Sequence, residues 1–405
     1  LWMGGLGPLD ALFEAMSGFT TTGATVLVDF GAFSRSLFAW RAFTQWLGGV
    51  GIIVLFLAVF PRLAIAGRQL FAAEAPGPTE ERFTPHLRST ALAVLSVYVS
   101  LTVAAIVAYV LAGLSPFDAV VHAFTTLAAG GFSPEARSFE GFSAAAQWVA
   151  VVFMLLAGTS FALQFRAVVA RRPGVLLRDV EFRVYLSIIV VATAGLSVVL
   201  LPALGEDALR HAAFQVVSIL TTTGYASVDF ASWSSQAQTI LLALMFIGGS
   251  AGSAAGGVKV IRWWIVARHT AREVQRTLHP RSVLPVRVGR RTVPEGVLRA
   301  VAAFLTVYVG TFVAVAALLG LLGHDFETSF SAAIATLGNI GPGIAAVGPM
   351  LSFAEFEPLA KGVLVFAMYA GRLEVVTVLL LFTADWWRPS RAWRARGAAR
   401  RAGMD

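Results

Sequence analysis

Four glycine-centred segments share a pattern of residues that could coordinate a metal cation through oxygen atoms. They read LDALFEAMSGFTTTGAT (9–25), FDAVVHAFTTLAAGGFS (117–133), AAFQVVSILTTTGYAS (212–227) and ETSFSAAIATLGNIGPG (327–343). The segments align without gaps and recur at intervals of 108, 93 and 117 residues, counted at the glycines that coincide: Gly23, Gly131, Gly224 and Gly341. Each pattern predicts a short amphipathic helix that ends at a Thr- or Gly-rich turn.

Four such turns around one axis would point backbone carbonyls at a common centre, which is how a dehydrated alkali cation is held. Glycine permits the backbone angles that aim successive carbonyls inward, and the threonines can add hydroxyl oxygens. The alternative is that the glycines only cap helices. Four copies in phase favour the cation site, and its predicted residues are Thr21, Thr22, Gly23, Ala129, Gly130, Gly131, Thr222, Thr223, Gly224, Asn339, Ile340 and Gly341.

Residues 248–257, GGSAGSAAGG, interrupt an apolar run after the third segment. Small residues can form a close helix-packing surface. Ten consecutive Gly, Ser and Ala residues form a poor helix, however, so we expect an unwound loop that crosses the conduction path. A dinucleotide-binding loop is excluded because no strand precedes it. The residues assigned to this loop are Gly248, Gly249, Ser250, Ala251, Gly252, Ser253, Gly256 and Gly257.

Three ionisable residues fall inside apolar stretches, where a charge is costly and usually faces the protein interior. Lys259 follows the small-residue loop, and it either faces the interior or extends to the membrane surface. Arg372 is predicted to face the ion path and to bond either carbonyls of this loop or the third-repeat helix, whereas Glu374, two residues on, pairs with another helix. His122 and His211 flank the glycine-centred helices and are interpreted as structural.

The composition indicates the elements that position these residues. Of 405 residues, 57% are hydrophobic and 13% charged, and the mean hydropathy is +0.75. This excess of apolar side chains predicts an all-α polytopic membrane protein and excludes a soluble enzyme, a disordered chain and a nucleic-acid-binding module, despite a net charge of +8. The absence of cysteine excludes disulfides and thiol catalysis.

Seven apolar stretches are long enough to cross a membrane as helices. They cover 42–61, 89–117, 141–165, 184–205, 230–258, 300–323 and 362–384. Each glycine-centred segment precedes one of them, so the predicted unit is span, half-helix, turn, span, repeated with fourfold pseudo-symmetry. The predicted divisions are repeat 1 (1–61), repeat 2 (88–170), repeat 3 (182–270), repeat 4 (294–386) and a basic tail (387–405).

Basic residues predict the orientation of the chain. Segments 62–88, 166–183, 262–299 and 386–405 carry 24 of the 31 basic residues and should be cytoplasmic. The opposite loops hold five basic and 13 acidic residues. Their net negative charge either concentrates cations at this face or only reflects the restriction of Lys and Arg to the cytoplasmic side. The chain opens without an initiating Met or a signal peptide, so we expect that N-terminal sequence is missing.

Long motifs throughout the chain resemble the Trk/Ktr/HKT superfamily of potassium transporters, most closely its TrkH type. The four glycine-centred segments are similar to the selectivity-filter segments of that family. Further resemblances are QWLGGVGIIVL (45–55) to the stretch after the first filter, FIGGSAGSAAGGVKVIR (246–262) to the gate loop and MYAGRLEVVTVLLLF (368–382) to the last helix.

The resemblance implies four membrane–pore–membrane units around a central ion path, with K⁺ bound at the twelve residues above and no organic cofactor. It implies that the 248–257 loop, with Lys259 and Arg372, is the gate. It also implies a homodimer in the lipid of the cell inner membrane, joined by a cytosolic ring of nucleotide-binding regulatory subunits of the TrkA type.

The sequence departs from the family pattern in three places. The first repeat lacks its leading span, two additional N-terminal helices are absent, and AAGGF in the second filter lacks a hydroxyl residue before the glycines. In plant relatives a Ser at the first glycine position accompanies sodium preference, so glycine at all four positions favours potassium.

Two rival functions have less support. An intramembrane enzyme would need clustered Asp, His or Ser side chains within spans, and only Lys259, Arg372 and Glu374 are ionisable there. The ion-conducting subunit of an ATP-driven potassium pump of the same superfamily would need an ATPase partner, and the motifs fit it less well.

Overall fold

The computed structural model describes residues 5–63, 83–169, 171, 173–282, 284–289 and 291–383, with backbone alone for 52–63 and 83–90. Most of the predicted basic segment 62–88 and the tail 387–405 lie outside the described residues.

Helices make up almost all of the regular structure in this part of the chain, which confirms the all-α class. In chain order they are α1 (Pro8–Phe19), α2 (Arg35–Leu63), α3 (Phe83–Leu111), α4 (Pro116–Leu127), α5 (Ala144–Ala157), α6 (Phe161–Val169), α7 (Gly174–Arg178), α8 (Val180–Leu204), α9 (Ala208–Leu220), α10 (Ser235–Met245), α11 (Val260–Leu278), α12 (Glu295–Leu321), α13 (Phe326–Leu337), α14 (Pro358–Arg372) and α15 (Val375–Leu380). A small antiparallel hairpin joins α11 to α12, formed by β1 (Arg287–Val288) and β2 (Arg291–Thr292).

The four predicted half-helices are α1, α4, α9 and α13, and they form the centre of the molecule. Two begin at side chains that cap their free amides: Ser115 accepts from the Asp118 amide at 3.2 Å, and Asp325 accepts from the Thr328 amide at 2.9 Å. The bonds from Thr328 also lower the pKa of the Asp325 carboxyl. Residues 212–220 of α9 are all buried, so this half-helix packs inside the longer helices.

The longer helices present apolar side chains outward. Leu111, Val191, Val198 and Leu321 are each more than 70% exposed. Such a surface is stable against lipid acyl chains and not against water, as the hydropathy predicted.

Three helical segments in the described residues are long and apolar enough to cross a membrane: Ala91–Leu111, Val180–Leu220 and Glu295–Leu321. The pair α5 and α6 forms a fourth candidate, bent by 95°. The predicted spans 141–165, 230–258 and 362–384 are interrupted at residues 158–160, 246–259 and 373–374, respectively. The break at 246–259 contains the predicted unwound loop, whereas the expectation of continuous spans over 141–165 and 362–384 is wrong. At the first two breaks, Gly and Ser residues lower helix propensity and leave backbone groups that bond to each other.

The repeats close into a ring, because the helix that follows each glycine turn packs against the central half-helix of the next repeat. The four contacts are α2 on α4, α5 on α9, α10 on α13 and α14 on α1. This cyclic packing generates the fourfold pseudo-symmetric arrangement that the repeat predicted.

The Tyr98 hydroxyl joins α3 to α2, donating to the backbone carbonyl of Trp46 at 3.1 Å from a fully buried side chain. We expect Tyr98→Phe to lower stability by about 1 kcal/mol, the usual net contribution of a buried hydrogen bond. Tyr308→Phe is the matched control, because the buried Tyr308 hydroxyl has no hydrogen-bond partner among the described residues. Thermal unfolding in detergent should rank Tyr98→Phe below Tyr308→Phe, and equal midpoints would contradict this assignment.

Candidate functional site

All four half-helices end in the same capping geometry. After α1, the Thr22 amide donates to the Ser17 carbonyl at 2.9 Å and the Thr21 amide to the Gly18 carbonyl at 3.0 Å, which is a Schellman motif. Equivalent bonds follow α4, α9 and α13. The left-handed capping residues have φ between 51° and 57°, and they are Thr21, Ala129, Thr222 and Asn339.

The aligned glycines are therefore not the caps, and that alternative is wrong. Each lies two residues beyond the capping residue, with its own positive φ of 75° to 99°. A β-branched residue such as Thr21 or Thr222 rarely adopts positive φ, and holding it there costs on the order of 1–3 kcal/mol. Repetition of this strained cap shows that the surrounding structure imposes one backbone path on all four turns.

The glycines meet in a closed ring. A Cβ atom built on any of them would overlap the carbonyl oxygen that precedes the glycine of the neighbouring turn, so only glycine permits this approach. The contacts run from Gly23 to Gly130, from Gly131 to Thr223, from Gly224 to Ile340 and from Gly341 back to Thr22. The structure thus brings the twelve predicted residues together, and all four glycines line one small cavity.

Side chains behind the ring fix its turns. Gln45 of α2, fully buried, donates to the Gly130 carbonyl at 2.7 Å and accepts from the Phe132 amide at 3.1 Å. It supports the second turn, which has no threonine of its own. In the fourth turn, Asn339 donates to the Thr22 hydroxyl at 3.0 Å and so joins repeats 4 and 1.

Sequence reasoning missed one supporting position, nine residues before each glycine. Glu14 there accepts from the Val26 amide at 2.7 Å, and the His122 ring lies 3.0 Å from the Ser133 hydroxyl. Gln215 lies 3.4 Å from the Ser227 hydroxyl, and Ala332 fills the fourth copy. The sequence signal for this supporting position was a polar residue at the same distance from the glycine in three otherwise apolar half-helices. His122 has the structural role expected of it.

Residues 246–259 form no helix, so the unwound loop is confirmed and the helix-packing alternative is wrong. Its backbone bonds to the break in repeat 2, with the Ser250 amide 2.9 Å from the Gly158 carbonyl. The Gly256 amide donates to the Thr222 hydroxyl at 2.6 Å, and a Cβ on Gly256 would approach Gly338. The loop therefore lies directly against the third and fourth turns.

The intramembrane charges surround this loop. Arg372, 6% exposed, donates to the Ala254 carbonyl at 3.0 Å, as predicted. Lys259 donates to the Ala255 carbonyl, so it binds the loop rather than extending to the surface. Glu374 accepts from Arg262 of α11 at 2.7 and 2.8 Å, which confirms its pairing with another helix.

Comparison with known proteins identifies the family. The chain matches the TrkH family model, described as a cation transport protein, over residues 4–388. The Trk system potassium uptake protein TrkH of Vibrio parahaemolyticus is 42% identical over 389 residues, covering 94% of this chain and 79% of that protein. The protein of the same name from Escherichia coli is 38% identical over 385 residues, with coverage of 94% and 79%.

Among solved structures, the potassium transporter TrkH from Vibrio parahaemolyticus matches with a TM-score of 0.85 at 39% identity, covering 95% of this chain and 80% of that one. Sequence and fold thus agree along almost the whole chain. The chain belongs to the TrkH family of cation transport proteins.

Proposed function

We propose that this protein is the potassium-conducting membrane subunit of an uptake system, and that K⁺ passes through the ring of glycine turns. The observation that carries the proposal is the closed cycle in which each glycine lies against the preceding carbonyl of the next turn. The TrkH relatives from Vibrio parahaemolyticus and Escherichia coli are named as potassium uptake proteins, which supports the choice of ion.

In this proposal the ring replaces the water around K⁺ with backbone carbonyl oxygens, one set from each turn. The half-helices assist, because α1, α4, α9 and α13 each end at the ring, and helix C-termini carry partial negative charge that stabilises a cation. The strained caps hold the carbonyls in place before the ion arrives, so little reorganisation is needed.

The 248–257 loop, with Lys259 and Arg372, is proposed as the gate. Contacts of the loop with Thr222 and the approach of Gly256 to Gly338 support an obstruction below the ring. Arg372 adds a positive charge that cannot be lost, since a guanidinium stays protonated. Both effects oppose a cation leaving the ring, and movement of the loop would relieve them.

We also propose that the protein lies in the cell inner membrane with its basic segments cytoplasmic, because Lys and Arg concentrate there. The family assignment supports a homodimer that works with a cytosolic nucleotide-binding ring of the TrkA type. The relatives named as members of a Trk system support a subunit that acts with other components.

Replacing Gly23 by Ser should lower discrimination of K⁺ over Na⁺ by about tenfold, equivalent to roughly 1.4 kcal/mol in relative binding. The added side chain would displace the Gly130 carbonyl from the ring. Gly113→Ser is the matched control, because Gly113 also has positive φ, 97°, but has open space around its Cβ position. Relative permeability in liposomes is the measurement, and unchanged selectivity in Gly23→Ser would contradict the filter assignment.

Replacing Arg372 by Ala should raise K⁺ flux about tenfold, because it removes a fixed charge and a bond that holds the loop. Lys361→Ala is the control: Lys361 is a buried cation on the same helix, but it pairs with Asp10 at 2.6 Å, away from the loop. Tracer uptake per folded molecule should rise only in Arg372→Ala. A less stable Arg372→Ala protein with no gain in flux would show that Arg372 only supports the fold.

A further inference from the structure

Arg41 of α2 lines the same cavity as the four ring glycines, on the side of the ring away from the 248–257 loop. Its side chain is 2% exposed, and its guanidinium carbon lies 3.9 Å from the centre of the Phe132 ring in the second turn. A permanent positive charge is thus built into the wall of a cavity that, on the proposed function, cations must enter.

Glu14 of α1 compensates this charge. The Arg41 Nε donates to the Glu14 carboxylate at 3.0 Å, and Glu14 is 1% exposed. The same carboxylate accepts from the Thr25 hydroxyl at 2.5 Å and from the Val26 amide at 2.7 Å, both on the segment that leaves the first turn. Arg41 also donates to the Thr25 hydroxyl at 3.2 Å, and its Nη1 has no partner among the described residues.

The charge arrangement is confined to repeat 1. At the position of Glu14, the other repeats have His122, Gln215 and Ala332, and none of these supplies a carboxylate. Among the described residues, the other charged side chain that lines the cavity is Glu135, which is exposed and therefore screened by solvent. Arg41 is buried, so its field at the ring is reduced by Glu14 more than by water.

We propose that Glu14 and Arg41 form a charge-compensating pair that sets the energy of K⁺ at the mouth of the ring. Arg41 holds the second turn in place by stacking on Phe132, and this stacking brings its positive charge close to the ion path. Glu14 holds the first turn in place and also compensates that positive charge. The inference rests on the proposed function, in which K⁺ passes through the ring. Both residues act as positioning groups and do not themselves touch the ion.

The test compares Glu14→Gln, Arg41→Gln and the double variant in K⁺ uptake by proteoliposomes. Glutamine can still accept from the Val26 amide but cancels no charge, so Glu14→Gln should raise the KM for K⁺ about tenfold. Arg41→Gln, which leaves the carboxylate alone, should lower KM. The double variant should return to within about threefold of the KM of the unsubstituted protein. A purely structural role predicts a loss of stability and folded yield in both single variants, with no KM shifts of opposite sign.

Asp10→Asn is the matched control, because it also removes the carboxylate from a buried cation, Lys361, which does not line the cavity. It should lower stability and leave KM unchanged. If the single variants fail to fold, the double variant alone decides, and a folded double variant with KM raised tenfold overturns the proposal. Unchanged KM in a folded Glu14→Gln protein overturns it as well.

The Gly23→Ser protein distinguishes failure of charge compensation by Glu14 from failure of the ring as the potassium filter. If Gly23→Ser alters K⁺ selectivity but the double variant does not recover KM, only charge compensation fails. If Gly23→Ser leaves selectivity unchanged, the ring is not the filter and the proposed function fails with it.

Discussion

A carbonyl oxygen at membrane depth must have a partner, because lipid supplies none. In a helix the partner is an amide four residues on, so carbonyls that are free to hold an ion require the helix to stop inside the membrane. Each of the four half-helices ends at the ring, and each uses a Schellman cap to bond the carbonyls of its last turn. The carbonyls beyond the cap are those that the neighbouring glycines approach, and the one of Gly130 also accepts a hydrogen bond from Gln45.

The supporting groups differ between repeats although the backbone path is shared. Gln45 holds the second turn, Asn339 joins the fourth to the first, and Glu14 with Arg41 holds the first. A fourfold axis requires equal positions for the carbonyls, not identical side chains behind them. The side chains behind the ring can therefore differ between repeats while glycine is kept at all four ring positions. One consequence is the charge pair of Glu14 and Arg41, which occurs in repeat 1.

The sequence predicted most of the features that follow from the glycine repeat or from local composition, and it missed the side chains that support the ring from behind. In-phase glycines located the ring, and a run of small residues located the loop, because both follow from local propensity. The separate partners of Arg372 and Glu374 were also expected, although Glu374 lies in the break after α14 and not on the same helix as Arg372. The pairing of Glu14 with Arg41 joins residues 27 apart, and the support from Gln45 crosses 85 residues. Neither contact belongs to a periodic pattern in the sequence, so these two contacts become visible only in the packed structure. The break at residues 158–160 was missed because the flanking residues are as apolar as those of a continuous span. The break at 373–374 was missed because charged residues such as Arg372 and Glu374 also occur within continuous spans.

The central claim is that the ring of glycine turns binds dehydrated K⁺. Its most direct test is anomalous diffraction from crystals grown with Tl⁺ or Rb⁺ in place of K⁺. If the ring binds K⁺, anomalous density should lie on the axis of the ring, between the carbonyls of Thr22, Gly130, Thr223 and Ile340. At fixed Tl⁺ or Rb⁺ it should weaken when excess K⁺ is added and persist when the same excess of Na⁺ is added. Ordered Tl⁺ or Rb⁺ elsewhere in the protein, with none on that axis, would contradict the claim.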